Sequence, residues 1–281
     1  MRILIGFHGS EASTAALSDL GSAGLPDETE VLILTVAESS DMLRTPFEAS
    51  HVAAVGVATI QKEFPKWVVT GETAIGSTTV GLLARADSFK PDLIVVGEPQ
   101  QNRRQRNIFI GVTSQVILVR ATCSVRIARG GCCPALRPKR ILVGFDGSAG
   151  ALRAVEVIAS RKWPADTEVR LLLAADPVVM GSIGRFAPQM TGVVLETKFA
   201  LQWAKGLAFS ASAKLIKAGI SSSVEVQRGY PKDVIVEEAK KWNADTIFVG
   251  SYSAANSLDR SLIGGVSAFV AAAAHCSVEV V

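Results

Sequence analysis

Apolar residues fall along this chain in two rhythms. Residues 3–7 (ILIGF) and 141–145 (ILVGF) are short, unbroken runs rich in β-branched side chains. Runs without polar alternation suit strands buried on both faces of a parallel sheet. Such strands are expected at 3–7, 31–36, 67–70, 92–97 and 125–128, and again at 141–145, 169–174, 223–227, 245–250 and 278–281. The stretches between them mix small, apolar and charged residues over helical lengths. Helices are expected at 12–20, 47–64, 79–89 and 111–120, then at 149–160, 193–218, 231–242 and 264–273. Alternation of strand and helix predicts an α/β fold with an open parallel sheet wound on both faces.

The two series are copies of one unit. ILIGFHGS at 3–10 matches ILVGFDGS at 141–148, an offset of 138 that also carries Pro26 onto Pro164 and Thr29 onto Thr167. Farther along the offset is 153: Gly76 falls on Gly229, Asp92 on Asp245, Gly97 on Gly250, Gly111 on Gly264, and Cys123-Ser124-Val125 on Cys276-Ser277-Val278. The second copy therefore holds 15 extra residues within 176–228. A period of this length describes duplicated domains, not a solenoid. The expected division is a first domain at 1–128, a Gly- and Pro-containing linker at 129–139, and a second domain at 140–281. The closing strands, 125–128 and 278–281, are expected to bury their edges against one another within the chain, or against a second chain as a homodimer.

Composition narrows the field. The 281 residues are 48% apolar and 20% charged, which describes a globular chain. Net charge is +3, too small to argue for nucleic acid or an anionic membrane. Mean hydropathy is +0.32, yet no apolar run approaches the ~20 residues of a spanning helix. Residues 1–7 are too short for a signal peptide and run straight into His8-Gly9-Ser10. Four cysteines form no disulfide scaffold, and Cys132-Cys133 are adjacent in the linker without metal-ligand spacing. A cytoplasmic protein is expected. Cys123 and Cys276, and Trp163, Trp203 and Trp242, read as packing residues.

In doubly wound sheets ligands bind beyond the carboxyl ends of the strands, where the strand order reverses. The second copy has Asp146-Gly147-Ser148 there. The carboxylate can accept hydrogen bonds from a ribose or base, Gly147 permits a tight turn, and Ser148 can cap the next helix. Ala174 ends the neighbouring strand. Gly250 precedes a loop carrying Ser253 and leading to Gly264-Gly265-Val266-Ser267, where free N–H groups at a helix start would suit a phosphate. The first copy has His8 in place of the aspartate. Its loop opens Gly97-Glu98-Pro99-Gln100, where a carboxylate repels phosphate and a proline lacks an N–H. Arg103, Arg104 and Arg106 follow. Metal-ligand spacing is absent, and no nucleophile–base pair stands out.

ILVGFDGS, the glycine-bearing loop, GGVS and the closing CSVEVV strand resemble the universal stress protein family, here as a tandem pair covering all but the linker. The resemblance implies two five-stranded parallel sheets of the adenine-nucleotide alpha-hydrolase-like type. It also implies that the last strand pairs with a partner domain. In nucleotide-binding members the loop reads Gly, two residues, Gly, nine residues, Gly, then Ser or Thr. By that pattern ATP or AMP would be held in the second copy by Asp146, Gly147, Ala174, Gly250, Ser253, Gly264, Gly265, Val266 and Ser267. Ser253 stands at the second Gly position and Gly265 at the Ser/Thr position. Gly250 and Gly264 are 14 apart, one more than the pattern, as are Gly97 and Gly111. The first copy departs further, with His8, Gln100 and Val112 at key places.

Three functions compete. One is a nucleotide-responsive stress protein whose assembly or protein partners change on binding. The second is an interaction module that has lost nucleotide binding. The third is an enzyme of a related adenine-nucleotide fold. The third needs an HxGH-type or Ser-Gly-Gly loop, and neither occurs. A dinucleotide-binding dehydrogenase needs GxGxxG after the first strand, also missing. A non-enzymatic protein is expected.

Overall fold

The computed structural model describes residues 1–38, 45–98, 110–130, 138–174, 197–251 and 264–281; the side chains of 197–201, 203 and 204 are not described. The first half runs β1 (Arg2–Gly6), α1 (Glu11–Asp19), a 3-10 turn (Leu20–Ser22), β2 (Glu30–Ala37), α2 (Pro46–Glu63), β3 (Val68–Ile75), α3 (Thr78–Phe89), β4 (Leu93–Gly97), α4 (Val112–Arg120) and β5 (Ser124–Ala128). The second half repeats this as β6 (Arg140–Gly144), α5 (Ala149–Ser160), β7 (Glu168–Ala174), α6 (Thr197–Lys217), β8 (Ser221–Gln227), α7 (Pro231–Lys241), β9 (Thr246–Val249), α8 (Gly265–Ala273) and β10 (Ser277–Val280).

All ten strands form one sheet, ordered β3-β2-β1-β4-β5-β10-β9-β6-β7-β8. Within each half the strands are parallel; β5 and β10 join the halves antiparallel. The expected edge-to-edge burial is thus made inside the chain. Strand β3 outruns its expected four residues, pairing with β2 from Val68 to Ile75. It is an edge strand, half solvated, so its polar Thr70, Glu72 and Thr73 hide it from a search for apolar runs. Gly71 marks no turn. A Cβ there would lie 2.9 Å from Val57 of α2, so the glycine lets that helix pack close.

Local chemistry fixes the helix starts. The Ser13 and Ala151 N–H groups donate to the Ser10 and Ser148 hydroxyls at 3.3 and 3.2 Å. Gly9 and Gly147 turn the chain into these caps with φ of +76° and +78°, a region costly for other residues. At α2, Thr45 and Glu48 form a reciprocal capping box.

The two sheet faces differ. Leu4, Ile94, Val96, Val125 and Ile127 join Leu142, Ile247, Val278 and Val280 in one apolar core under α3, α4, α7 and α8, continuous through both halves. On the opposite face the cores are separate: Ile3, Ile5 and Phe7 with α1 and α2, and Ile141, Val143 and Phe145 with α5 and α6. Between these two cores sits a buried ionic cluster. Arg126 Nε donates to Asp19 at 2.6 Å and Nη1 to Glu279 at 3.3 Å, while Arg161 forks onto the same Glu279. Two cations face two anions, and all are 9% exposed or less. Burial alone would lower the Arg126 pKa; Asp19 and Glu279 outweigh it and hold the guanidinium above its ordinary value.

The 129–139 connection is anchored at both ends. Arg129 is buried, its backbone N–H donating to Ser277 and its guanidinium to the Cys276 and Ala271 carbonyls. Lys139 is buried too. Trp163 and Trp242 pack against the cores, whereas the Trp203 side chain and Cys132-Cys133 lie outside the described residues. No helix among the described residues is long and apolar enough to cross a membrane.

Candidate functional site

In each half β2 and β4 lie on opposite sides of β1, and β7 and β9 on opposite sides of β6, so the strand order reverses beside those central strands. The crevice at their carboxyl ends is where a ligand fits this architecture. Each half has a cavity there, and the two are equivalent under the repeat.

The second-half cavity has a volume of about 190 Å³ and is lined by Asp146, Ser148, Leu172, Ala174, Gly250, Val266 and Ser267, among others. The structure thus brings together five of the sequence-derived site residues: Asp146, Ala174, Gly250, Val266 and Ser267. Gly147 forms the turn beside them, and Gly264 and Gly265 open α8 without lining the cavity. Ser253 lies outside the described residues, as do 175–196, the first part of the 176–228 stretch that holds the extra residues. Asp146 is exposed, and its Oδ1 accepts the Ser148 N–H at 2.9 Å, which fixes the carboxylate's direction. The Ser267 hydroxyl donates to the Gly250 carbonyl at 2.6 Å. Gly264 caps α8 with no side-chain hydrogen bond among the described residues, and Asp146 is the acidic residue among those that line this cavity.

The first-half cavity is larger, about 560 Å³, and is lined by His8, Glu38, Thr78, Glu98, Thr113 and Ser114 over a floor that includes Phe7, Leu34 and Val36. Thr78 Oγ1 donates to Glu38 at 2.8 Å. Glu98 turns its side chain back onto the start of α4. Its Oε1 accepts the Gly111 N–H at 3.1 Å and the Ser114 hydroxyl at 2.5 Å.

The universal stress protein family model matches residues 1–129 and 138–281. The chain belongs to the universal stress protein family. No protein with a curated description matches it. Among solved structures, a universal stress protein from Archaeoglobus fulgidus DSM 4304 is 19% identical, covers 99% of this chain and 97% of its own, and superposes with a TM-score of 0.66. A protein of unknown function from Pseudomonas aeruginosa PAO1 is 15% identical over 100% of this chain and 92% of its own, at a TM-score of 0.63. At these identities the likeness is one of fold.

Within this universal stress protein the pattern glycines have different physical reasons. A Cβ on Gly97 would lie 2.3 Å from the Ala12 carbonyl oxygen, and one on Gly250 would lie 2.6 Å from Gly150 carbon. Both glycines therefore serve close packing of β4 on α1 and of β9 on α5, whatever they do for a ligand. Among the described residues, a Cβ on Gly265 would meet no atom within 4 Å. Sequence reasoning missed Pro231 and Ile235 of α7, which also line the second cavity. The offset of 153 maps Thr78 and Leu82 onto them, but no sequence signal marks either pair; both emerge only once α3 and α7 are packed over the sheet. It also missed that Glu98 is seated, having read it only as a repulsive neighbour. Among the described residues no group of three His, Cys, Asp or Glu is placed to hold a metal.

Proposed function

We propose that this chain is a stress-response protein that binds an adenine nucleotide, ATP or AMP, in its second half, and that occupancy regulates its assembly or protein partners rather than feeding a reaction. One observation carries the reading. Asp146, Gly250 and the start of α8 converge on one crevice that brings together a carboxylate and a helix N-terminus with no side-chain cap among the described residues. A carboxylate suits ribose or base hydroxyl and amino donors. A helix start with free N–H groups suits phosphate. The two ends of a mononucleotide have those opposite demands.

A second reading is an interaction module without nucleotide. What favours it is size: small-molecule pockets run from about 300 Å³ upward, and the second-half cavity is about 190 Å³. The test is nucleotide content. The purified protein is denatured and the supernatant run on an ion-exchange column. One ATP, ADP or AMP per chain, lost in Asp146→Ala, is the result expected. No released nucleotide, and no binding when millimolar ATP-Mg is titrated in, would give the interaction reading the lead.

A further inference from the structure

The larger cavity lies in the half whose sequence fits the nucleotide pattern less well, and one residue reconciles the two facts. Positions 98 and 251 are equivalent under the offset of 153; one is Glu, the other Ser. The difference propagates to the next equivalent pair. Ser114 gives its hydroxyl proton to Glu98, whereas Ser267 gives its own to the Gly250 carbonyl. Likewise the Gly111 N–H is taken by Glu98. We infer that Glu98 is an internal anion that occupies the phosphate position at the start of α4 and bars phosphate-bearing ligands from the first-half cavity. The inference rests on the nucleotide reading of this crevice proposed above.

The chemistry is direct. A helix start favours one negative charge through its N–H groups and dipole. A carboxylate tethered to the chain fills that place at no translational cost, so an incoming phosphate must displace it or sit against it. Glu98 is half-buried, and like charges at contact distance repel even where water partly screens them. Glu38 lines the same cavity and adds a second carboxylate. The first half thus keeps a cavity of ligand size while refusing the ligand class that the second half is built to accept. Glu98 sets specificity by charge, and the chain binds one nucleotide, not two.

The test uses the full chain carrying Asp146→Ala, which silences the second half, titrated with ATP-Mg by calorimetry. With Glu98 intact no binding is expected. Adding Glu98→Ser should create one ATP site per chain, at least about tenfold tighter than any residual binding, a change of about 1.4 kcal/mol. Glu98→Gln keeps an acceptor for Gly111 and loses the charge, so its gain should be smaller. Circular dichroism and the melting temperature verify folding of both variants. If Glu98 were only a helix cap, the Ser and Gln variants would fold and gain no ATP binding; that overturns the inference. Equal ATP binding with and without Glu98 in the Asp146→Ala background overturns it as well. A wild-type chain that binds no nucleotide, beside a Glu98→Ser chain that gains it, would sink the second-half reading and leave this inference standing.

Discussion

Arg126 and Glu279 occupy the same position of the repeat and stand opposite each other where β5 meets β10. Their neighbours cross about this centre: Ile127 faces Val278, the repeat equivalent of Val125, and Val125 faces Val280, the equivalent of Ile127. A strand pair centred on one position would bring that residue against itself if two identical halves met. A pair of first halves would bury arginine against arginine, and a pair of second halves glutamate against glutamate. The unlike pair makes the interface specific for the other half of the chain. Glu279→Gln leaves Arg126 and Arg161 buried with Asp19 as the one remaining anion of the cluster. Removing one partner of a buried pair costs about 3–5 kcal/mol. Urea denaturation should show that loss, with Glu279→Arg worse and unable to fold.

The surface link between the halves should matter far less. Lys162 Nζ donates to Asp27 at 2.6 Å with both side chains more than half exposed. The hydrogen bond and charge of Lys162 lower the Asp27 pKa. A depressed carboxylate pKa contributes above the unfolded value and is lost as pH falls through the folded one. Here solvent screens the pair, so Lys162→Ala should leave the urea midpoint at physiological salt unchanged. Gly24 beside it is different. Its φ is +64° and a Cβ would lie 2.7 Å from the Trp163 ring. Gly24→Ala should cost on the order of 1–3 kcal/mol.

Most of this fold is legible in the sequence because the information is local and duplicated. ILIGF and ILVGF announce buried central strands, and Ser10 and Ser148 announce the helix starts behind them. Edge strand β3 is longer than its apolar run because Thr70, Glu72 and Thr73 give it no apolar signature. The site was half legible. Asp146 and Gly250 line the crevice at the carboxyl ends of β6 and β9. Glu98 could be read from the sequence as an unfavourable charge, but its contact with Gly111 and Ser114 depends on how the loop returns to α4. Nothing at position 98 alone records that. The Arg126–Glu279 pairing was equally hidden, since two charged residues in closing strands look solvent-facing until β5 and β10 are brought together.

Cys276 should behave as an inert thiol in the native protein. It is buried at the start of the closing strand, and burial pushes its pKa up to about 12. Iodoacetamide at neutral pH should leave the Cys276 peptide unmodified until the protein unfolds, as read by peptide mass spectrometry. The sign of the pH effect follows. The folded pKa lies above the ordinary 9.0, so stability is intact below 9.0 and is lost as pH rises from there towards about 12. Cys276→Ala, measured by urea denaturation on both sides of pH 9.0, should remove that part of the alkaline slope. A Cys276 thiol alkylated at the same rate in folded and unfolded protein would contradict its burial.

Gly250 and Gly265 separate packing from binding. Gly250→Ala forces a methyl group into the Gly150–Ala151 backbone at the start of α5. Overpacking of that kind costs on the order of 1–3 kcal/mol, so this variant should melt earlier whether or not nucleotide binds. Gly265→Ala meets no atom of the described residues within 4 Å and stands at the first position of α8, where alanine is the better helix former. Its melting temperature without ligand should hold or rise. A nucleotide phosphate at this helix start would need the backbone close, and the added methyl group would stand in its way. Gly265→Ala should therefore lose nucleotide affinity with no loss of stability. Unchanged ATP affinity in this variant would place any phosphate away from the start of α8 and remove the main geometric support for nucleotide binding in the second half.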